Sequence, residues 1–184
     1  MSRICAGQPY QLCTEEDSFE SFTYDIDSEE QLIISKNEDK FLIKREPIPY
    51  TVETGLIRGT IRTSMFEAMA DAGGGPEIAI ALADIFAWDI DFLRDVRKGD
   101  TFQALFEKRF REGEPAGYGK ILAAEFTNRG RTFQAIRFTD GERPASYYDP
   151  EGNNLRKTFL RAPLSYSRIS SGFTKRRFHP ITKT

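Results

Sequence analysis

The chain has 184 residues, 39% hydrophobic and 29% charged, with 9 Pro and 14 Gly, the balance of a soluble folded chain of one ordinary domain or two small ones. No apolar run approaches the roughly 20 residues that a helical bilayer span requires. Met1-Ser2-Arg3-Ile4-Cys5 lacks the apolar core of a secretory signal, so the chain either starts inside a longer protein or belongs in the cytosol.

Residues 4 to 45 carry short apolar runs, Phe19 to Tyr24, Leu32 to Ile34 and Phe41 to Ile43, separated by Asp, Glu, Ser and Asn. That texture predicts strands and turns with no helical period. Pro47 and Pro49 each remove a ladder donor, and a domain boundary is expected there or just after. Leu56 to Ile61 reads as a strand, and Ser64-Met65-Phe66-Glu67 has the form of a capping box, so a helix is predicted from residue 63 or 64 with Phe66, Met69 and Ala70 on its buried face. Gly73-Gly74-Gly75 ends it, and Pro76 opens a second helix with Ile78, Leu82, Ile85 and Phe86 on one stripe.

Beyond Lys98-Gly99-Asp100 the period becomes two. Phe102, Ala104, Phe106 and Phe110 share one side of a strand, and Lys120 to Phe126 and Thr132 to Phe138 follow as a hairpin joined by Arg129-Gly130. Asp140-Gly141 and Pro150 to Asn154 are turns around a short strand at Ser146-Tyr147-Tyr148. The predicted fold class is α+β: a β-rich N-terminal part, then two helices packed on an antiparallel sheet, with the incomplete β-strand start of a further β domain at the C-terminus.

Few residues offer chemistry. His179 is the one histidine, and Cys5 and Cys13 are the only cysteines, which excludes a closed structural zinc site of several Cys and His. The even cysteine count is compatible with a bridge and equally with two thiols. Asp84, Asp89, Asp91 and Asp95 cluster around Trp88, but Asp89 and Asp91, two apart, diverge on a helix or a strand, and a helix end feeding a polar turn accounts for all four. There is no Gly-x-Ser-x-Gly, and Gly73-Gly74-Gly75 is a helix-to-helix turn and no phosphate cradle. No residue is assigned a catalytic or metal-binding role, and substrate-binding residues are not identified. After Glu151 the chain carries Arg156, Lys157, Arg161, Arg168, Lys175, Arg176, Arg177 and Lys183 and no acidic residue, with Phe159, Tyr166, Phe173 and Phe178 among them. Such a segment has the composition of an anionic-polymer or single-strand platform, although a period of two turns many of these aromatics inward, against nucleic-acid binding.

Three separated blocks carry a resemblance: Gly59 to Ala68, Ala83 to Phe92 and Arg97 to Phe102. It continues through Ile121 to Phe126, Tyr147 to Gly152 and Leu155 to Pro163, and ends in Ser167 to Phe173 and Arg177-Phe178-His179-Pro180-Ile181. In this order the blocks resemble the domain that precedes the catalytic module in Gram-negative LytM/lysostaphin-type zinc metalloendopeptidases, with the last block similar to the opening of that module. The resemblance covers residues 56 to 184, and residues 1 to 54 are similar to the preceding β-rich domain only loosely. The family's zinc-binding His-x-x-x-Asp and His-x-His are both missing, and His179 matches a histidine that is not a ligand in the family pattern.

The resemblance implies a domain order of 1–54, a partial β-rich N-terminal domain with an inhibitory role, 55–165, a central α+β domain, and 166–184, the truncated opening of the catalytic domain. It also implies a non-catalytic regulatory and positioning fragment of a periplasmic enzyme that cuts peptidoglycan peptide cross-links. The zinc belongs to the parent enzyme and none to this chain; the partners are peptidoglycan and the missing catalytic domain in cis, with a membrane anchor only in the parent and no nucleic acid. The competing expectation is a stand-alone module that binds the cell wall or another anionic polymer without enzymatic activity.

Overall fold

The structure, a computed structural model, describes residues 5–37 and 40–157. Among them the elements run β1 (Tyr10–Glu15), β2 (Ser18–Asp25), β3 (Glu30–Asn37), β4 (Lys40–Pro47), β5 (Thr51–Thr60), α1 (Met65–Asp71), α2 (Pro76–Phe86), β6 (Thr101–Arg111), β7 (Glu114–Asn128), β8 (Arg131–Phe138) and β9 (Ser146–Tyr148). β1 to β4 form one sheet and β5 to β9 a second, each in sequence order. The described residues divide into two compact units, those up to Glu53 with Lys108–Gly117, and Thr54–Glu107 with those from Tyr118 onward.

The first unit is an antiparallel meander whose register sets Tyr24 beside Leu32 and Ile34 beside Ile43. β1 and β4 remain largely exposed along their length. Two features fix its turns. Asp27 accepts hydrogen bonds from the backbone N–H groups of Glu29 and Glu30 at 2.8 and 2.9 Å, which closes the β2–β3 turn and holds its carboxyl below the ordinary carboxylate range. Glu16 and Asp17 join β1 to β2 with φ of 47° and 62°, a left-handed pair that suits the twist of a two-residue hairpin and costs a side-chain-bearing residue steric energy.

The tip of the β6–β7 hairpin supplies this unit's interior charge. Arg109 is only 6% exposed, gives hydrogen bonds to the Ser28 carbonyl at 3.0 Å and the Glu29 carboxylate at 2.7 Å, and lies 4.9 Å from the centre of the Tyr50 ring. Arg111 bonds the buried Asp25 at 2.7 Å and Gln31 at 3.1 Å. A guanidinium with that little water requires an anion and a carbonyl in this geometry. The period-two reading put Phe110 on the buried side. Instead burial passes from Phe106 to Arg109 and leaves Phe110 half-buried, because the strand crosses here from an apolar interior to a polar one.

In the second unit, Ser64 Oγ accepts from Glu67 N at 3.1 Å and so caps α1. The residues that α1 buries are Met65, Ala68 and Met69, whereas Phe66 is 54% exposed and Ala70 is also exposed. Residues 65-68-69 and 66-69-70 are overlapping triplets of the same helical spacing, and sequence alone selects the one with the bulkier side chain. In α2, Pro76 occupies the first turn and Ile78, Leu82, Ile85 and Phe86 are buried. These side chains share one core with Ile57 and Ile61 of the β5 segment, Phe102, Ala104 and Phe106 of β6, and Phe126 and Ala135 of β7 and β8. Phe126 is fully buried, edge-on to Phe92 with 5.0 Å between ring centres. Gly59 is required for close approach: a Cβ there would sit 2.6 Å from Phe102 Cζ.

The α+β expectation is therefore corrected. The chain is mainly β, nine strands in two sheets among the described residues, and the helices are short, 7 and 11 residues. The helical periodicity of residues 63 to 86 overstated their share, while β6 and β7 run to 11 and 15 residues, longer than the alternation showed. Glu114-Pro115-Ala116-Gly117-Tyr118-Gly119 has the composition of a loop, yet it is strand, with Gly117 at φ of 88° inside it. The expected β-strand start of a catalytic domain at 166–184 lies outside the described residues.

Asp100 ties this unit's connections together. It is 4% exposed, and its carboxylate accepts from Arg97 N and Asn128 Nδ2 at 2.7 Å each and from Arg129 N at 2.9 Å. Arg129 and Gly130, at φ of 52° and 78°, form the expected two-residue turn between β7 and β8. Replacing Asp100 with Ala leaves two N–H groups without an acceptor and Asn128 with one partner fewer, and is expected to cost about 3 kcal/mol or more in urea unfolding. Asp140→Ala, in an exposed turn, should shift the midpoint far less. In the first unit, the double change Glu16→Asn, Asp17→Gly relieves the left-handed turn and should stabilise by about 1 kcal/mol; an unchanged midpoint would show that the turn carries no strain.

Candidate functional site

The carboxylates that cluster in sequence serve their own turn. Asp91 Oδ1 accepts from Leu93 N at 3.0 Å, and Asp91 N donates to Asp95 Oδ2 at 3.1 Å. Asp95 pairs with Arg129 at 3.6 Å, and Asp89 with Lys157 at 2.5 Å. Asp84 stands apart, exposed on α2. Gly73-Gly74-Gly75 lies between α1 and α2, with Gly73 at φ of 82°. Cys5 is exposed and gives its backbone N–H to the Tyr24 hydroxyl at 2.7 Å, and Cys13 is half-buried in β1.

Among the described residues no group of three or more His, Cys, Asp or Glu is placed to hold a metal ion. His179, Arg161 and the later basic residues, with Phe159, Tyr166, Phe173 and Phe178, lie outside the described residues, so only Arg156 and Lys157 of the basic segment are placed. No helix among the described residues is long and apolar enough to cross a membrane.

Described residues of the second unit line three concave surfaces of interest. The first lies on the outward face of β6 to β8. There Glu125 accepts from Gln103 at 3.1 Å and from Gln134 at 2.7 Å, beside the exposed Leu56, Leu105 and Ile136. The second is an apolar groove rimmed by Phe66, Ile80 and Leu93, all exposed, over Met65, Ala79 and Ala83. The third, about 250 Å³, is lined by Asp84, Ile85, Trp88, Tyr147, Leu155 and Arg156.

The third combines apolar and charged chemistry. Its floor is Ile85 and Leu155, both buried, and Trp88 and Tyr147 are half-buried walls. The Tyr147 hydroxyl donates to the Ile121 carbonyl at 2.9 Å, and burial pushes its pKa up. Asp84 and Arg156 are exposed, and neither forms an ion pair with a described residue. Sequence reasoning treated Trp88 only as the centre of an acidic cluster. Nothing local reveals that β9 and the turn after it bring Tyr147, Leu155 and Arg156 alongside α2.

Two sheets of strands with two short helices define a mainly β module. The chain belongs to the family described as the Csd3 second domain, which it matches over residues 51–175. It is 36% identical over 153 residues to peptidoglycan DD-endopeptidase ShyC of Vibrio cholerae, covering 83% of this chain and 35% of that protein. The structure of Helicobacter pylori Csd3 shares the fold at a TM-score of 0.68 and 22% identity, over 95% of this chain and 47% of that one. A zinc-containing peptidase from Vibrio cholerae does so at 0.62 and 24%, over 98% and 55%. The chain spans about a third of the length of the named endopeptidases it matches.

The pKa shift of Tyr147 gives a pH prediction. Because the folded-state pKa lies above the ordinary 10.0, the folded form keeps the proton longer than the unfolded one, and this contribution to stability, complete below pH 10.0, is lost as pH rises towards the folded value. Tyr147→Phe is expected to lose about 1 kcal/mol at neutral pH with the hydrogen bond, and to show a shallower alkaline fall in urea midpoint. An equally steep fall in both proteins would assign the alkaline limb to other groups.

Proposed function

We propose that the chain is the non-catalytic, positioning part of a zinc-dependent endopeptidase that cuts peptide cross-links of peptidoglycan in the periplasm. The observation that carries this reading is the family match over residues 51–175, together with the 36% identity to a protein named as a peptidoglycan DD-endopeptidase. The chain is mostly strand and contributes surfaces, with the chemistry belonging to a domain of LytM type beyond it.

Zinc does not fit the residues described. Catalytic zinc takes three protein ligands and one open position for water. The sequence has one histidine, and the neighbouring carboxylates at Asp89, Asp91 and Asp95 are already committed to Lys157, Leu93 N, Asp91 N and Arg129. No step of hydrolysis is assigned to these residues. In this reading residues 1–54 restrain access to the catalytic groove, 55–165 set its position, and 166–184 lead into the catalytic domain. The exposed Tyr10, Leu12, Phe41 and Ile43 of the outer strands β1 and β4 supply the apolar surface that such restraint needs.

The test compares this chain with one extended through the following domain. The extended chain is expected to bind one zinc and release soluble muropeptides from purified sacculi, and the short chain to do neither. Zinc binding with release by the short chain, or an extended chain that releases nothing after removal of residues 1–54, would overturn the assignment.

A further inference from the structure

We propose that the pocket formed by Asp84, Trp88, Tyr147 and Arg156 is a subsite for one pyranose ring of an N-acetylated amino-sugar chain. The inference deepens the peptidoglycan reading and rests on it for the identity of the polymer; the ring chemistry is argued from the pocket alone.

A pyranose has two chemically different surfaces. Its C–H faces are apolar and pack against aromatic rings, while its equatorial hydroxyl and acetamido groups project around the edge. The pocket matches both. Ile85 and Leu155 make a buried apolar floor, and Trp88 and Tyr147 are the aromatic walls. The Tyr147 hydroxyl is already spent on the Ile121 carbonyl, so its ring contributes hydrocarbon to the cavity. Asp84, an acceptor, and Arg156, a donor with a planar fork, stand exposed beside the apolar floor.

Other ligand classes satisfy less of this arrangement. A wholly apolar ligand would strip water from Asp84 and Arg156 without replacing it. A phosphate would suit Arg156 and be repelled by Asp84. A divalent cation finds a single carboxylate and a guanidinium. A neutral ring with hydroxyl donors and carbonyl acceptors pairs with both charged groups and covers the aromatic walls. The pocket, at about 250 Å³, falls just below the usual range for drug-sized ligands, which fits one ring of a longer chain. A single such contact is weak and becomes effective when many rings of one polymer are presented together.

Trp88 is the only tryptophan of the chain, so its fluorescence reports on this pocket. The full chain is titrated with soluble N-acetylglucosamine oligomers, with glucose oligomers of equal length as the comparison. The expected result is a saturable change in Trp88 emission with the acetylated oligomers only. Asp84→Asn and Arg156→Ala should each weaken it roughly tenfold, with circular dichroism unchanged. A flat titration up to solubility, or a saturable response identical in wild type and both variants, overturns the site. Zinc binding and muropeptide release by the extended chain are measured in parallel. Release with a flat Trp88 titration discards the pocket and keeps the endopeptidase reading; a saturable, variant-sensitive Trp88 response without release keeps the pocket and discards that reading.

Discussion

Burial of the Asp100 carboxylate is the constraint on which the second unit's connections depend. A carboxylate with 4% exposure is tolerable only when its oxygens are saturated, and the donors that saturate it come from two places in sequence, Arg97 N and the adjacent pair Asn128 Nδ2 and Arg129 N. Its own backbone extends the arrangement, with the Asp100 carbonyl accepting from Ile61 N at 2.8 Å. The end of β5, the turn before β6 and the β7–β8 hairpin are therefore tied together beside the apolar core of α1, α2 and the sheet.

The first unit uses the same device with the opposite sign. It buries few apolar side chains, Tyr24 and Ile48 among them, and it has an almost fully buried guanidinium at Arg109. Ser28, Glu29 and Tyr50 surround that group, and Arg111 repeats the pattern with Asp25 and Gln31. Polar networks of this kind contribute specificity more than net stability, since removing one member leaves the others unsatisfied. A thin four-stranded meander with exposed outer strands gains more from a fixed arrangement than from apolar burial it does not have.

How far the sequence could be read follows from this division. Features governed by local chemistry were legible: the Ser64 cap, Pro76 at the start of α2, the Arg129-Gly130 and Asp140-Gly141 turns, and the alternation of Phe102, Ala104 and Phe106. Features governed by partners distant in sequence were not. Arg109 looks like any strand-surface charge until Ser28 and Glu29, about 80 residues earlier, are placed against it. Gly117 looks like a loop residue because a positive φ inside a strand has no signature of its own. The α+β expectation failed for the same reason, since strand length depends on the neighbouring strand while helix periodicity is visible within a single segment.

The candidate site obeys the same rule, which explains why motif reasoning passed over it. Trp88 and Asp84 are local to α2 and its end, but they become a pocket only when β9 pairs with β8 and the Asp149 turn folds back. That turn is held by Asn153, whose side-chain Nδ2 donates to Asp149 Oδ2 at 3.0 Å and whose backbone N donates to Oδ1 at 2.8 Å, contacts that also keep the Asp149 carboxyl below its ordinary range. Leu155 N then donates to the Tyr147 carbonyl at 2.9 Å, which brings Leu155 under the aromatic walls and Arg156 to the rim. The geometry of the pocket is thus set by a backbone turn and an apolar anchor, and its rim charges are free of structural duty within the described residues. Side chains that a fold does not need for its own stability can be given to a ligand at low cost, and Asp84 and Arg156 meet that condition where Asp100 and Arg109 do not.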